Sequence, residues 1–385
     1  MTVVNGNGGG SSHYSTMVVT GTGSVYSCDK VFYINGTLNT VTVSDGALLR
    51  TSAGGSSYFQ FYAGPINNTV LITDPGTIFT NNGWMYFSGN WGPEGGNRFI
   101  VSNGAAAYST GPVMIQGSSV VPSSNVLMIA GSGSAFRTES YIYLGDSDIP
   151  ALVITNGGSV FGLGGVLAGY ANQVGAALVT GSGSLWSNTY DLTLAGQNNS
   201  ITNCRATLTV RDNARLVNRS AFIAYAGVTG GACRATMVVT DGGQWDSSDS
   251  VLVGASGGRG TLIVSNAAEA AALTQVVLGN AATATGDLQV VGGTLTVTNA
   301  SATGLLDVRR GSVLLGVGGL IRADNLTVTN NSSLRFNFLN ESSGQIDLGS
   351  GLLKVDGADA TLTVDLTRYE GAAGFRTLVT YGSMP

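Results

Sequence analysis

Asn203-Cys204-Arg205-Ala206-Thr207-Leu208-Thr209-Val210 returns 29 residues later as Ala232-Cys233-Arg234-Ala235-Thr236-Met237-Val238-Val239. Both segments carry β-branched and apolar residues in the same frame, and neither is long enough to bury its own apolar face. Similar clusters recur along the chain: Thr16-Met17-Val18-Val19, Thr40-Val41-Thr42-Val43, Thr69-Val70-Leu71-Ile72, Arg98-Phe99-Ile100-Val101, Val126-Leu127-Met128-Ile129, Ala151-Leu152-Val153-Ile154, Ala177-Leu178-Val179 and Thr261-Leu262-Ile263-Val264. A period of about 24–29 residues is that of a solenoid, in which stacked units jointly enclose a core.

After each cluster comes a turn rich in Gly, Asn, Asp and Ser, such as Asn156-Gly157-Gly158-Ser159 or Asp241-Gly242-Gly243. These residues reverse the chain at low steric cost. A second apolar run ending in Gly follows, as in Tyr141-Ile142-Tyr143-Leu144-Gly145 and Val251-Leu252-Val253-Gly254. The repeat reads strand, turn, strand, loop. It predicts an all-β fold, a parallel β-helix or solenoid, right-handed by the crossover rule. Residues 1–286 hold the regular repeats, and residues 287–385 read as less regular C-terminal coils.

A column of large side chains lies six or seven positions past the first strand: Tyr26, Leu49, Phe79, Tyr108, Phe136, Phe161, Trp186, Leu216 and Trp245. Core or turn packing is the plain reading; an exposed aromatic track for sugars is the sharper one. Tyr58-Phe59-Gln60-Phe61-Tyr62, Trp84-Met85-Tyr86-Phe87 and Trp91 form an aromatic-rich irregularity, read as shared packing between consecutive second strands. Cys204 and Cys233 occupy one repeat position, so they fall one rung apart, within reach of a disulfide.

Composition narrows the function. With Lys+Arg 17 against Asp+Glu 22, a net charge of −5 and no basic cluster visible along the chain, nucleic acid lacks its electrostatic term. Only Lys30 and Lys354 are lysines, and no apolar run reaches the length of a membrane span, so no membrane insertion is expected. The chain lacks a basic, then apolar, leader and reads as a fragment or processed segment.

Catalytic chemistry finds little material. The single histidine, His13, falls in a polar loop without a nucleophile partner. Asp146 with Asp148, and Asp246 with Asp249, could approach as carboxylate pairs, although solvated turns explain them equally. Neither metal nor cofactor is expected. A β-helical polysaccharide-degrading enzyme needs acids gathered on one face, whereas Glu94, Glu139, Asp191 and Glu269 sit at different phases of the repeat. The expectation is therefore no enzyme. Asn-x-Ser/Thr sequons occur at Asn35, Asn67, Asn198, Asn218, Asn299, Asn325, Asn330, Asn331 and Asn340, each a possible glycosylation site.

The strand, its Asn-Gly-Gly-Ser or Gly-Ser-Gly-Ser turn, the later Leu-Ala-Gly or Leu-Val-Gly strand and the run Ala360–Thr367 leading to Tyr381-Gly382-Ser383 resemble autotransporter passengers and PEP-CTERM-associated bacterial surface proteins. That resemblance implies export, a location outside the cell or on the surface of a bacterium, and a surface, matrix or filament role. Partners are then copies of the chain joined end to end, or surface polysaccharide. A passenger adhesin is the alternative.

Overall fold

The computed structural model describes residues 12–51, 58–87, 95–115, 124–145, 149–197, 201–225, 233–329, 331–339, 342–356, 359–365 and 377–382. Strands are the regular elements among them, and every pairing between named strands is parallel to a strand of a neighbouring coil. The fold is a parallel β-solenoid built of three sheets. The chain divides into two compact units: residues 1–169 with 173–189, and residues 170–172 with 190–385.

A coil holds three strands where the sequence suggested two. In the first unit one coil runs through Tyr58–Ile66 in sheet A, Thr69–Thr73 in sheet B and Ile78–Asn81 in sheet C, before Trp84–Tyr86 reopens sheet A. Within residues 1–286 the unrecognised strands are those of sheet C. They are only about four residues long and carry turn-like residues, as in Ser159–Gly162, so their alternation is too brief to stand out.

Alternation sets the core. In Thr69–Thr73, Val70 and Ile72 are wholly buried while Thr69, Leu71 and Thr73 face outward, as a period of two requires. The turn from sheet B to sheet C relies on left-handed backbone: Asn156 and Gly157 adopt φ of 52° and 84°, and Gly158 closes the turn by donating to the Thr155 carbonyl at 3.1 Å. Asparagine tolerates this region better than other residues with a Cβ, and glycine meets no penalty.

In the first unit the corner from sheet A to sheet B is filled by asparagines. Asn39, Asn68, Asn97 and Asn125 are buried and stacked. The backbone N–H of Asn39 donates to Asn68 Oδ1 at 2.8 Å, that of Asn68 to Asn97 Oδ1 at 3.1 Å, and that of Asn97 to Asn125 Oδ1 at 3.0 Å. Side-chain amides repeat the link, with Asn68 Nδ2 to Asn97 Oδ1 and Asn97 Nδ2 to Asn125 Oδ1 both at 2.9 Å. Buried polar groups persist when paired this way. Beside the ladder, Phe59, Phe61, Phe79, Phe87 and Phe99 pack edge to face or tilted, with centroids 5.0–6.3 Å apart.

The second unit repeats the three-sheet order. Arg205–Arg211, Arg234–Val239, Arg259–Ser265 and Thr285–Val291 are successive strands of sheet B, and its inner residues include Leu208, Met237, Leu262 and Leu288. The order continues beyond residue 287 through Gly311–Leu315, Ser332–Asn337 and Thr361–Asp365.

Candidate functional site

The column proposed from sequence lies in sheet C. Leu49, Phe79, Phe136, Trp186, Leu216 and Trp245 are buried core residues, and Tyr26 is half-buried. Tyr108 and Phe161 do not belong to it. Phe79 pairs with Ala107, and Phe136 with Ala107 and Val160, so Ala107 and Val160 take the inner places. A displacement of one residue along a strand sends the side chain to the opposite face. Tyr108 and Phe161 thus face outward on either side of Arg137, whose guanidinium carbon lies 4.2 Å from the Phe161 ring centroid.

Aromatic side chains do gather on an outer face, but in sheet A of the first unit. Strands Phe32–Thr37, Tyr58–Ile66 and Trp84–Tyr86 are adjacent; Phe59 and Met85 pair in register and point inward. Alternation turns Tyr33, Tyr58, Trp84 and Tyr86 outward, so the irregularity read as shared packing is half core and half surface. Trp91 lies outside the described residues, as does the side chain of Tyr62. The hydroxyls of Tyr33 and Tyr58 share a hydrogen bond at 2.7 Å, and Tyr58 meets Tyr86 edge-on at 5.8 Å. Trp84, 45% exposed, stacks on Tyr86 with centroids 5.4 Å apart and an interplanar angle of 13°. Burial, and then the neighbouring Tyr58, push the Tyr86 phenol above its ordinary value, keeping it neutral. The face offers flat apolar area edged by hydroxyls, a combination suited to contact surfaces.

Cys204 and Cys233, both buried, are joined by a disulfide with their Cα atoms 4.6 Å apart. Cys28 is a free thiol. His13 stands in the two-residue strand Ser12–His13 rather than a loop, exposed, with a ring nitrogen hydrogen-bonded to the Thr37 hydroxyl. Among the sequons, Asn198, Asn330 and Asn340 lie outside the described residues. Asn67 and Asn331 are exposed, while Asn35, Asn299 and Asn325 are half-buried. Asn218 is not a glycan acceptor in this fold: it is 1% exposed, and its Oδ1 accepts the Trp245 indole N–H at 2.7 Å. A sequon specifies three residue types, and which face they occupy depends on the register.

Asp146, Asp148 and Glu94 also lie outside the described residues. Asp246 is held by Arg215 at 2.7 Å and Asp191 by Arg219 at 3.0 Å. Asp249 accepts hydroxyl hydrogen bonds from Thr274 at 2.9 Å, and from Ser250 and Ser220 at 3.1 Å. Burial alone would raise its carboxyl; those hydroxyls, with the Arg219 charge, outweigh it and hold the group below its ordinary value. Glu139 and Glu269 are exposed, and Glu269 shares an open groove of about 260 Å³ with Asp246, Thr296 and Arg322. No group of three or more His, Cys, Asp or Glu able to hold a metal occurs among the described residues.

One expectation about charge changes on folding. Arg205, Arg234 and Arg259, separated by 29 and 25 residues in sequence, stand in register on three consecutive strands of sheet B. The second unit therefore carries the basic cluster that a linear reading does not show.

The chain matches no family model, and no curated protein matches it. A solved structure that it resembles is the crystal structure of the TibC-catalyzed hyper-glycosylated TibA55-350 fragment, at 14% sequence identity and a TM-score of 0.29, over 93% of this chain and 97% of that one.

Proposed function

We propose that this chain is the exposed part of an exported, bacterial surface β-solenoid of the autotransporter-passenger kind, and that it acts as an adhesin rather than an enzyme. The outward aromatic face of Tyr33, Tyr58, Trp84 and Tyr86 carries this reading. Rigid rings on a flat sheet lose little conformational entropy on contact, which is why Tyr and Trp dominate recognition surfaces. Neutral surface glycan is the ligand chemistry that fits, since a sugar ring lays its C–H face on an aromatic ring and gives its hydroxyls to tyrosine oxygens.

Export is supported by the disulfide between Cys204 and Cys233, a bond that persists in oxidising compartments. The engagement of Asp191, Asp246 and Asp249 by arginines or hydroxyls supports a non-catalytic role. Binding of the purified chain to immobilised neutral glycans tests the proposal. Replacing Trp84→Ala together with Tyr86→Ala is expected to weaken binding about tenfold or more, given hot-spot losses of about 2 kcal/mol. Unchanged binding by the folded double variant overturns it.

A second reading, end-to-end assembly of copies, rests on a separate observation. Strands Leu352–Asp356 and Thr361–Asp365 each pair with a strand of one neighbouring coil, and Val355, Leu362 and Val364 are 54%, 62% and 40% exposed. Apolar strand edges of this kind recruit further strands, and a head-to-tail contact does not close. Light scattering at rising concentration should show growing particles that Leu362→Lys abolishes; a persistent monomer removes this reading.

A further inference from the structure

Arg205, Arg234 and Arg259 open three consecutive strands of sheet B, and all three side chains are exposed. Their Cα atoms pair directly, Arg205 with Arg234 and Arg234 with Arg259, so the guanidinium stems repeat at the rung spacing of about 4.8 Å. Thr236 and Thr261 lie two residues further along the same outer face, also paired in register. Together these side chains line an open groove of about 640 Å³ that ends at Asp287, the register partner of Thr261.

Like charges placed directly across neighbouring strands oppose each other. Several other arginines of this unit are paired with a carboxylate: Arg215 with Asp246, Arg219 with Asp191, Arg309 with Asp307 and Arg335 with Asp365. The three stacked arginines have no hydrogen-bond or ion-pair partner for their side chains among the described residues. In a chain of net charge −5, a column of three uncompensated cations is a local exception that overall composition does not account for. An anion with several charges along one line removes the repulsion and satisfies the forks.

We propose that the Arg205–Arg234–Arg259 ladder binds a linear acidic polysaccharide whose uronate carboxylates follow the solenoid from rung to rung. Each planar guanidinium can hold one carboxylate through two parallel N–H···O bonds. A polyuronate carries one carboxylate per sugar ring and thereby a regular charge repeat along an extended chain, as the rungs do along the sheet. Thr236 and Thr261 place hydroxyls beside the ladder where sugar hydroxyls fall. Single-stranded nucleic acid fits less well, because its binding grooves add aromatic platforms for the bases and this groove is lined by Arg, Ala, Thr and Asp. Asp287 closes one end by repelling a further carboxylate, which makes the ladder a site of about three sugars. This inference stands apart from the aromatic face of the first unit and from end-to-end assembly, since its ligand, residues and charge dependence all differ.

Calorimetric titration of the full chain with oligogalacturonate at low and moderate salt tests it, with a neutral oligoglucan, inorganic phosphate and oligothymidylate as comparison ligands. Oligogalacturonate is expected to bind, more weakly as salt rises, while the neutral oligoglucan leaves these residues untouched. Arg234→Ala should weaken oligogalacturonate binding about tenfold or more, the loss expected for one charged hydrogen-bonding partner. Asp287→Asn should tighten it. In the absence of ligand Arg234→Ala should leave the melting midpoint unchanged or raise it, whereas an arginine that only supports the fold would lower it. Failure of the wild-type chain to bind oligogalacturonate, equal binding by an Arg205→Ala, Arg234→Ala, Arg259→Ala triple variant, or equal or tighter binding of phosphate or oligothymidylate overturns the proposal.

Discussion

The two units of this chain solve one problem with different chemistry: how to hold a corner of a stacked coil so that the next strand starts in register. In the first unit the corner before sheet B is a buried ladder of Asn39, Asn68, Asn97 and Asn125, set against a phenylalanine core. In the second, the covalent link from Cys204 to Cys233 ties adjacent rungs just before the strands that Arg205 and Arg234 begin. The ladder distributes the constraint over four successive rungs through several modest hydrogen bonds. A disulfide concentrates it in one place and depends on the redox environment.

The difference can be broken most severely at Asn97. Its Oδ1 accepts both the backbone N–H and the side-chain amide of Asn68, so Asn97→Ala strands two buried donors, at about 1–3 kcal/mol each. The expected loss is about 2–6 kcal/mol, read from chemical denaturation. Because neighbouring rungs carry most of the coupling in a solenoid, hydrogen exchange should rise chiefly across residues 58–145. Uniform acceleration over the whole chain would show that the ladder is not a local device.

Reduction of the disulfide comes next. It closes a 29-residue separation, for which the chain-entropy account gives about 3.6 kcal/mol. Denaturation with and without reductant should differ by about that amount, with exchange increasing over residues 201–265 and little change near the asparagine ladder. The double variant Cys204→Ser with Cys233→Ser should reproduce the effect and become insensitive to reductant. If stability does not change, the register of Arg205 with Arg234 is held by strand packing alone.

Both corners were present in the sequence with unequal clarity. Cys204 and Cys233 precede matching segments, so their adjacency follows from the repeat. Asn39-Thr40, Asn68-Thr69, Asn97-Arg98 and Asn125-Val126 recur at almost constant spacing, each one residue before a sheet B strand. That signal was available, but asparagine is also the ordinary turn residue of this chain, which hides its buried role. Tyr108 and Phe161 show the opposite failure. Counting from the previous strand placed them one residue out of phase, because turn lengths vary and a single slip reverses the face. The sheet A aromatics split for the same reason, Phe59 and Met85 inward, Tyr58 and Trp84 outward. The arginine ladder was hidden by distance alone: charges 29 and 25 residues apart become neighbours only when the coils stack.

The smallest expected effect concerns protons, and it falls on the second unit. Asp249 sits at the corner before the sheet A strand Ser250–Ala255, where burial disfavours its charged form but the hydroxyls of Thr274, Ser250 and Ser220 and the Arg219 charge favour it more. Its folded-state pKa is therefore lowered below the unfolded carboxylate value of about 3.9. A group of this kind binds fewer protons in the folded than in the unfolded state near that pH, so stability rises with pH there. Its contribution is complete above the ordinary carboxylate range and is lost as the pH falls through the depressed folded value. Asp347 acts in the same direction, through the Gly349 N–H and the Thr380 hydroxyl, with smaller opposing burial. The melting midpoint of the wild-type chain should fall on acidification from about pH 5 to pH 3, and Asp249→Asn should flatten part of that slope while lowering stability at neutral pH. Asp249 and Asp347 both belong to the second unit, so acid should raise exchange around residues 249–275 before it reaches the asparagine ladder. Acid-induced exchange that begins at residues 58–145 instead would assign the proton sensitivity to the wrong unit and remove Asp249 as its source.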